Sequence, residues 1–209
     1  MRWMGSRCTS TLRNRSGRSR SSETKQLSDL PSASDSIFIS GRHPVSLDEE
    51  QLVRQCELKT GRVSGPGGQH RNRVETAVFV THNPTQVDAQ GTERRSQVEN
   101  RRVAIRRLRI RLAVLVRTLK VTAEHQPSAL WQSRRRNRKI QVSIDHWDFA
   151  VVLAEALDLV TALNFDVSAA AATLGVSMSQ LTRLIRQDKF AAAKLNEGRK
   201  SAGLGPLRD

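Results

Sequence analysis

Ser64-Gly65-Pro66-Gly67-Gly68-Gln69-His70, followed at once by Arg71-Asn72-Arg73, is the stretch of this 209-residue chain whose residue types and spacing suit chemistry. Glycine reaches φ > 0 without a Cβ clash, so Gly67 and Gly68 behind a Gly-Pro can follow a path closed to other residues. A loop so poor in side chains has its value in the close approach of backbone N–H groups to another molecule. Gln69 adds one uncharged side chain that both donates and accepts hydrogen bonds. Arg71 and Arg73 beside it indicate that the other molecule is anionic. No Ser-His-Asp or Cys-His arrangement is present in the loop. His70 is its only titratable neighbour, and on chemical grounds it could serve as a general base. The bland alternative is a tight turn in which Gln69 is a bystander.

The elements on either side must hold such a loop. Glu57 to Val63 reads as a strand leading in. Glu75 to Thr81 reads as a strand leading out, with Ala77, Phe79 and Thr81 alternating with Thr76, Val78 and Val80. Asn83-Pro84-Thr85-Gln86 signals a turn, and Val87 to Gln90 a returning strand. Upstream, Ile37 to Arg42 is a short mixed stretch. Ser46-Leu47-Asp48-Glu49 has the pattern of a capping box, with Ser46 as N-cap and Glu49 reaching back. The helix it opens runs through about Gln55, with Leu47, Leu52 and Val53 facing inward.

From Thr92, an expected cap, the apolar period becomes helical as far as about Lys120. Val98, Ile105, Leu108, Leu112, Leu115, Val116 and Leu119 make one stripe. Arg94, Arg95, Arg101, Arg102, Arg106, Arg107, Arg109, Arg111, Arg117 and Lys120 occupy the remainder, with Glu99 the only acid between Arg94 and Lys120. Like charges at this density repel one another, which favours an RNA-facing surface over mere solvation.

Val121 to Gln132 reads as a linker containing Pro127. The basic run that follows carries Arg134, Arg135, Arg136, Arg138 and Lys139; it suits phosphate contact without sequence readout. Ile140, Val142 and Ile144 alternate with Gln141 and Ser143 as in a short edge strand. Asp148 to Leu163 is an apolar, Ala- and Leu-rich helix. Ser168 to Leu174, Gly175 and Ser177 to Arg186 form a helix-turn-helix pattern, with Ser177 capping the second helix and Thr182, Arg183 and Arg186 on its exposed face. Many small helical domains share that pattern, so packing or RNA docking is the better expectation than reading of DNA.

The formal charge is +15, from 35 Lys and Arg against 20 Asp and Glu, which makes nucleic acid the first partner to consider. Met1 to Asp35 is rich in Arg and Ser, with six Arg and no acid in the first twenty positions. Such a segment cannot bury enough surface to offset its ordering entropy, so disorder is expected. An RNA-binding arm, an organellar transit peptide and a start placed too far upstream all remain open. Cys8 and Cys56 have neither metal-ligand spacing nor a disulfide framework, which fits a reducing compartment. No apolar run approaches a membrane span, and no cofactor is expected.

Gly67-Gly68-Gln69, in the context Ser-Gly-Pro-Gly-Gly-Gln-His, resembles the catalytic loop of class I peptide-chain release factors and their ribosome-rescue relatives. The resemblance continues through Val74-Glu75-Thr76-Ala77-Val78, Thr81-His82-Asn83-Pro84-Thr85 and Arg94-Arg95-Ser96-Gln97-Val98-Glu99-Asn100-Arg101. It covers roughly Cys56 to Lys120, less than a third of the chain, and its specificity lies in four blocks in the right order and spacing.

The resemblance implies hydrolysis of the peptidyl-tRNA ester on the ribosome. In the family, the backbone N–H of the loop Gln faces the leaving 3′-oxygen, and its side chain places water and excludes larger nucleophiles. Gln69 would take that role, and Gly67 and Gly68 would permit the backbone it needs. Arg71, Arg73, Arg94 and Arg95 become candidate contacts to large-subunit RNA or the tRNA acceptor end, and a methyltransferase acting on the Gln69 side-chain nitrogen becomes an implied partner. The chain also departs from the pattern. It has no Pro-x-Thr or Ser-Pro-Phe tripeptide outside the matched region, so stop-codon reading is not expected. The basic run at Arg134 to Lys139 is not a terminal tail, because about seventy residues follow it.

The expectation is therefore an α+β chain. Residues 1–36 would be a disordered basic extension, 37–120 a release-factor-like domain with a short antiparallel sheet and a long basic helix, 121–144 a basic linker, and 145–209 an all-α helix-turn-helix-like region. Codon-independent release on stalled ribosomes is the expected function, in the cytoplasm, or in an organellar matrix if the N-terminus is a transit peptide. A non-enzymatic RNA- or ribosome-binding protein working through its helix-turn-helix is the alternative, and action on free peptidyl-tRNA a third.

Overall fold

The computed structural model describes residues 36–62, 75–118 and 125–207, all within one compact unit, Ala33–Asp209. The extension expected over residues 1–35, the Gly67-Gly68-Gln69 segment with His70, Arg71 and Arg73, and Leu119 and Lys120 lie outside the described residues.

The chain enters through β1 (Ile37–Ile39), a 3-10 turn (Pro44–Ser46) and α1 (Glu49–Arg54). Strands β2 (Cys56–Gly61), β3 (Ala77–His82) and β4 (Val87–Gly91) form an antiparallel sheet in that order. In β3, Val78, Val80 and His82 are buried while Phe79 and Thr81 are half-buried, so the period-2 pattern sets one inner face. Helix α2 (Gln97–Leu115) packs on β3 and β4 through Ala104, Leu108 and Leu112. Fully burying a Leu of this kind contributes roughly 1.5–3 kcal/mol.

Three boundaries differ from the sequence expectation. Asp48, not Ser46, caps α1: its side chain accepts from Gln51 N at 2.7 Å, because Ser46 is already the last residue of the 3-10 turn. Helix α2 starts at Ser96, whose hydroxyl accepts from the Glu99 N–H, rather than at Thr92. It ends at Leu115, because Val116–Thr118 becomes β5 and pairs in parallel with β1, Ile37 opposite Val116. Tertiary pairing of β-branched residues wins there over helical continuation. Val98 also leaves the apolar stripe, at 62% exposure. It stands about 160° around the helix from buried Asn100.

Beyond β5, α3 (Ala129–Arg134) occupies part of the stretch expected to be linker. A two-residue hairpin follows, β6 (Arg135–Arg136) with β7 (Lys139–Ile140). Then come α4 (Phe149–Ala162), α5 (Val167–Thr173), α6 (Met178–Arg186) and α7 (Lys189–Ser201). Apolar on nearly every side, α4 is buried on nearly every side, against α2 and β5 on one hand and α5 and α6 on the other. A single apolar cluster runs from Val78 and Val80 through Leu108 and Leu153 to Leu184 and Leu195. Gly175 joins α5 to α6 at φ +66°, and Ser177 accepts from Gln180 N as the expected cap. The architecture is α+β: a short antiparallel sheet under a long basic helix, then a helix-turn-helix. Among the described residues no helix is long and apolar enough to cross a membrane.

Candidate functional site

Strands β2 and β3 fix where the glycine-rich segment starts and finishes. Gly61 lies opposite Ala77 in the register, so β2 ends and β3 begins at the same end of the sheet. Arg62 and Glu75 face each other there, with Nε and Oε1 3.4 Å apart on an exposed surface.

The return point is held by a residue to which the sequence reading gave no role. Asn100, fully buried in the first turn of α2, donates from Nδ2 to the carbonyls of Thr76 (2.7 Å) and Arg94 (2.9 Å), and its Oδ1 accepts from Arg94 N–H (2.8 Å). One amide thereby joins the start of β3, the turn before α2 and the helix itself. An amide can do this because it donates and accepts at once. Helix and sheet come close enough only because Gly91 ends β4: a Cβ there would stand 2.1 Å from the Asn100 carbonyl oxygen. The signal was present in the sequence, an Asn on the apolar face of a helix, where a buried polar group must find partners.

The basic residues from Arg94 to Arg117 fall into exposed, paired and buried sets. Arg94, Arg95, Arg101 and Arg102 are exposed and join no salt bridge among the described residues. The Asn100 contacts bring Arg94 and Arg95 to the base of the 63–74 segment. Arg106, Arg107 and Arg111 pair with Asp145, Glu93 and Asp88; such exposed pairs contribute little stability.

Arg109 and Arg117 are not on an RNA-facing surface, being 2% and 3% exposed. Arg109 donates to the carbonyls of Val45 (2.9 Å) and Trp147 (2.5 Å) and lies 3.3 Å from the Trp147 ring centre, while its Nε is unpaired. Burial pulls its pKa down to about 10. Arg117 donates to Asp158 at 2.5 Å and to the Ala113 carbonyl.

The second basic group sits on the β6–β7 hairpin. Arg136, Arg138 and Lys139 are exposed. Arg134 is committed to Asp148, donating from Nε at 2.9 Å and from a terminal nitrogen at 2.5 Å. Arg135 donates to the Gly175 carbonyl at 3.3 Å.

Two further groups with chemical potential are structural. Burial pushes the Cys56 thiol up to about 11, and the thiol donates to the Leu52 carbonyl, so it is a poor nucleophile. His82, its pKa lowered by burial, bridges Thr85 Oγ1 (2.7 Å) and Gln55 Oε1 (3.1 Å) and fastens the β3–β4 turn to the end of α1.

Residues 46–146 match the RF-1 domain family. Peptide chain release factor 1 of Ureaplasma parvum is 40% identical over 97 residues, covering 46% of this chain and 25% of that protein. Peptide chain release factor 1 of Leptospira biflexa is 36% identical over 101 residues, covering 47% of this chain and 29% of its own. The chloroplastic peptide chain release factor PrfB1 of Arabidopsis thaliana is 40% identical over 78 residues, covering 37% of this chain and 16% of that protein. The chain thus spans about a quarter of the length of the release factor 1 proteins it matches.

Proposed function

We propose that this chain, a class I release-factor-like protein over residues 46–146, acts in translation termination by hydrolysing the ester between peptide and tRNA on the ribosome, and does so without reading a codon. The observation that carries this reading is the joining of two of the sequence blocks at one place. Thr76, Arg94 and Asn100 meet where the chain returns from Gly67-Gly68-Gln69 to the sheet.

The chemistry asks for an anchored loop and for cations to meet an anionic partner; in support, a paired strand stands on each side of the segment, and Arg94 and Arg95 are exposed at its base. In this reading Gln69 holds its backbone N–H toward the leaving 3′-oxygen and its side chain toward the attacking water. Gly67 and Gly68 let the backbone reach that position, and Arg71 and Arg73 meet RNA. Water attacks the ester carbonyl carbon, the bond to the ribose 3′-oxygen breaks, one of water's protons ends on that oxygen and the other passes to solvent, and the peptide leaves with a carboxylate. N5-methylation of Gln69 by a methyltransferase belongs to the same reading. Codon independence belongs to the same reading and is what release from ribosomes without a stop codon tests. The setting is the cytoplasm, or an organellar matrix if residues 1–36 act as a transit peptide.

The test compares wild type with Gln69→Ala for peptide release from ribosomes stalled without a stop codon. Gln69→Ala keeps the backbone N–H and removes the side chain that places the water, and losing one such preorganised group lowers the rate about 10²–10³-fold. Equal release by the two proteins would remove the Gln69 side chain from the reaction. No release by wild type would favour a binding protein that works through its helix-turn-helix, and release without ribosomes would move the substrate to free peptidyl-tRNA.

A further inference from the structure

The basic hairpin and the helix-turn-helix, separate features in the sequence, form one continuous surface. Asn137 and Arg138 take left-handed φ values of 49° and 59°, the conformation that closes a tight two-residue hairpin. The Trp131 indole N–H donates to the Leu174 carbonyl at 2.9 Å, in the turn between α5 and α6. One residue further on, Arg135 donates to the Gly175 carbonyl, and a Cβ at Gly175 would stand 1.9 Å from that guanidinium. Arg134 fastens the other side to Asp148. Strand β7 packs directly against α6. The hairpin therefore stands beside the second helix of the helix-turn-helix as a fixed wing.

Between wing and helix runs a groove lined by Lys139, Gln141, Gln180, Arg183 and Gln187, floored by Leu184. No acidic and no aromatic side chain lines it. Arg136 and Arg138 extend its charge along the exposed hairpin.

We propose that this groove docks the sugar–phosphate backbone of double-helical RNA; the choice of RNA over DNA rests on the ribosomal reading above. Cations without a counter-acid suit phosphate. Unpaired strands are held by stacking on aromatic side chains, and the groove offers none. An A-form duplex hides its bases in a narrow major groove but displays 2′-hydroxyls beside its phosphates. Gln141, Gln180 and Gln187 can donate to and accept from those hydroxyls. The nine-residue α6 is then a backbone-contacting element that reads no bases.

The test uses the full chain and a fluorescent RNA stem of about 16 base pairs, titrated by anisotropy across a range of salt. Arg136→Gln, Arg138→Gln, Lys139→Gln and Arg183→Gln are combined in one variant. A control carries the same charge change elsewhere: Arg54→Gln, Lys59→Gln, Lys189→Gln and Lys200→Gln. All eight side chains are exposed, and Arg183→Gln alone serves as a second, minimal variant. The groove variant is expected to bind at least tenfold more weakly, with its salt slope reduced by about two to four, while the control loses much less. Single-stranded RNA of the same sequence and duplex DNA are expected to bind wild type more weakly than the stem. Equal losses in groove variant and control, an unchanged salt slope, or a preference for single strands or DNA would each overturn the proposal. Peptide release measured on the same proteins separates the two readings. Release by wild type, with the stem bound equally by both variants, removes the groove and keeps the ribosomal function. Stem binding that needs the four groove residues, without release, does the reverse.

Discussion

Asn100 Nδ2 donates to the Thr76 carbonyl across 2.7 Å, tying the first turn of α2 to the residue at which the chain comes back from Gly67-Gly68-Gln69. Asn100→Ala leaves the Thr76 carbonyl and both polar groups of Arg94 short of a partner. Its expected cost is about 2–4 kcal/mol, read by urea unfolding. Asn100→Asp keeps the shape and the bond from Arg94 N–H but sets a carboxylate against two carbonyls, so it is not expected to restore stability. A loss below about 1 kcal/mol in Asn100→Ala would show that the amide does not hold the return point.

Gly91→Ala tests the same contact from the strand side. A methyl group placed 2.1 Å from the Asn100 backbone oxygen can be relieved only by separating β4 from α2, an overpacking cost of about 3 kcal/mol. Gly41→Ala is the matched control, with nothing within 4 Å of its Cβ; it is expected to stay within about 0.5 kcal/mol of wild type. Thermal melts of the two variants decide the point.

Arg117 and Asp158 form a buried pair 2.5 Å apart, and Thr118 Oγ1 donates to the second carboxylate oxygen at 2.5 Å. Arg117→Met strands a buried carboxylate and is expected to cost about 3–5 kcal/mol. Adding Asp158→Leu should recover much of that loss, because the uncompensated charge is then gone. A double variant as unstable as the sum of the singles would mean that the two side chains are not coupled, so that the loss in Arg117→Met is not that of a stranded carboxylate.

His43 gives the fold a pH dependence. Its Nδ1 accepts from Val45 N–H at 3.2 Å, and Nε2–H donates to the Val116 carbonyl at 3.2 Å. Burial lowers its pKa from 6.5 to about 4; Arg117 and His82 lower it further, while Asp158 and the Val116 bond act the other way. Below pH 6.5 the unfolded chain takes up a proton that the folded chain refuses until about pH 4. Stability is therefore at its full value above 6.5 and falls between 6.5 and 4, by up to about 3 kcal/mol. Denaturation midpoints across that range should decline in wild type and decline less in His43→Gln.

Elements whose cause is local follow from residue type and spacing alone. The alternation through Val78 and Val80, the helical stripe through Ile105, Leu108 and Leu112, the Ser177 cap and the glycine turn at Gly175 are read from residue type and spacing, and all stand in the structure. The Gly67-Gly68-Gln69 motif and its companion blocks were legible for the same reason.

Features that depend on partners distant in sequence are settled by packing. The helix ends at Leu115 because β1, seventy-odd residues earlier, pairs with Val116–Thr118. Of ten bases that looked alike in the sequence, Arg109 and Arg117 go inward because Val45 and Asp158 wait there. Asn100 becomes the staple of the site through Thr76, twenty-four positions away. The basic run and the helix-turn-helix become one groove through Trp131, Arg135 and Gly175. Periodicity and capping are properties of neighbouring residues. The fate of a buried charge or amide is set by which other backbone arrives beside it.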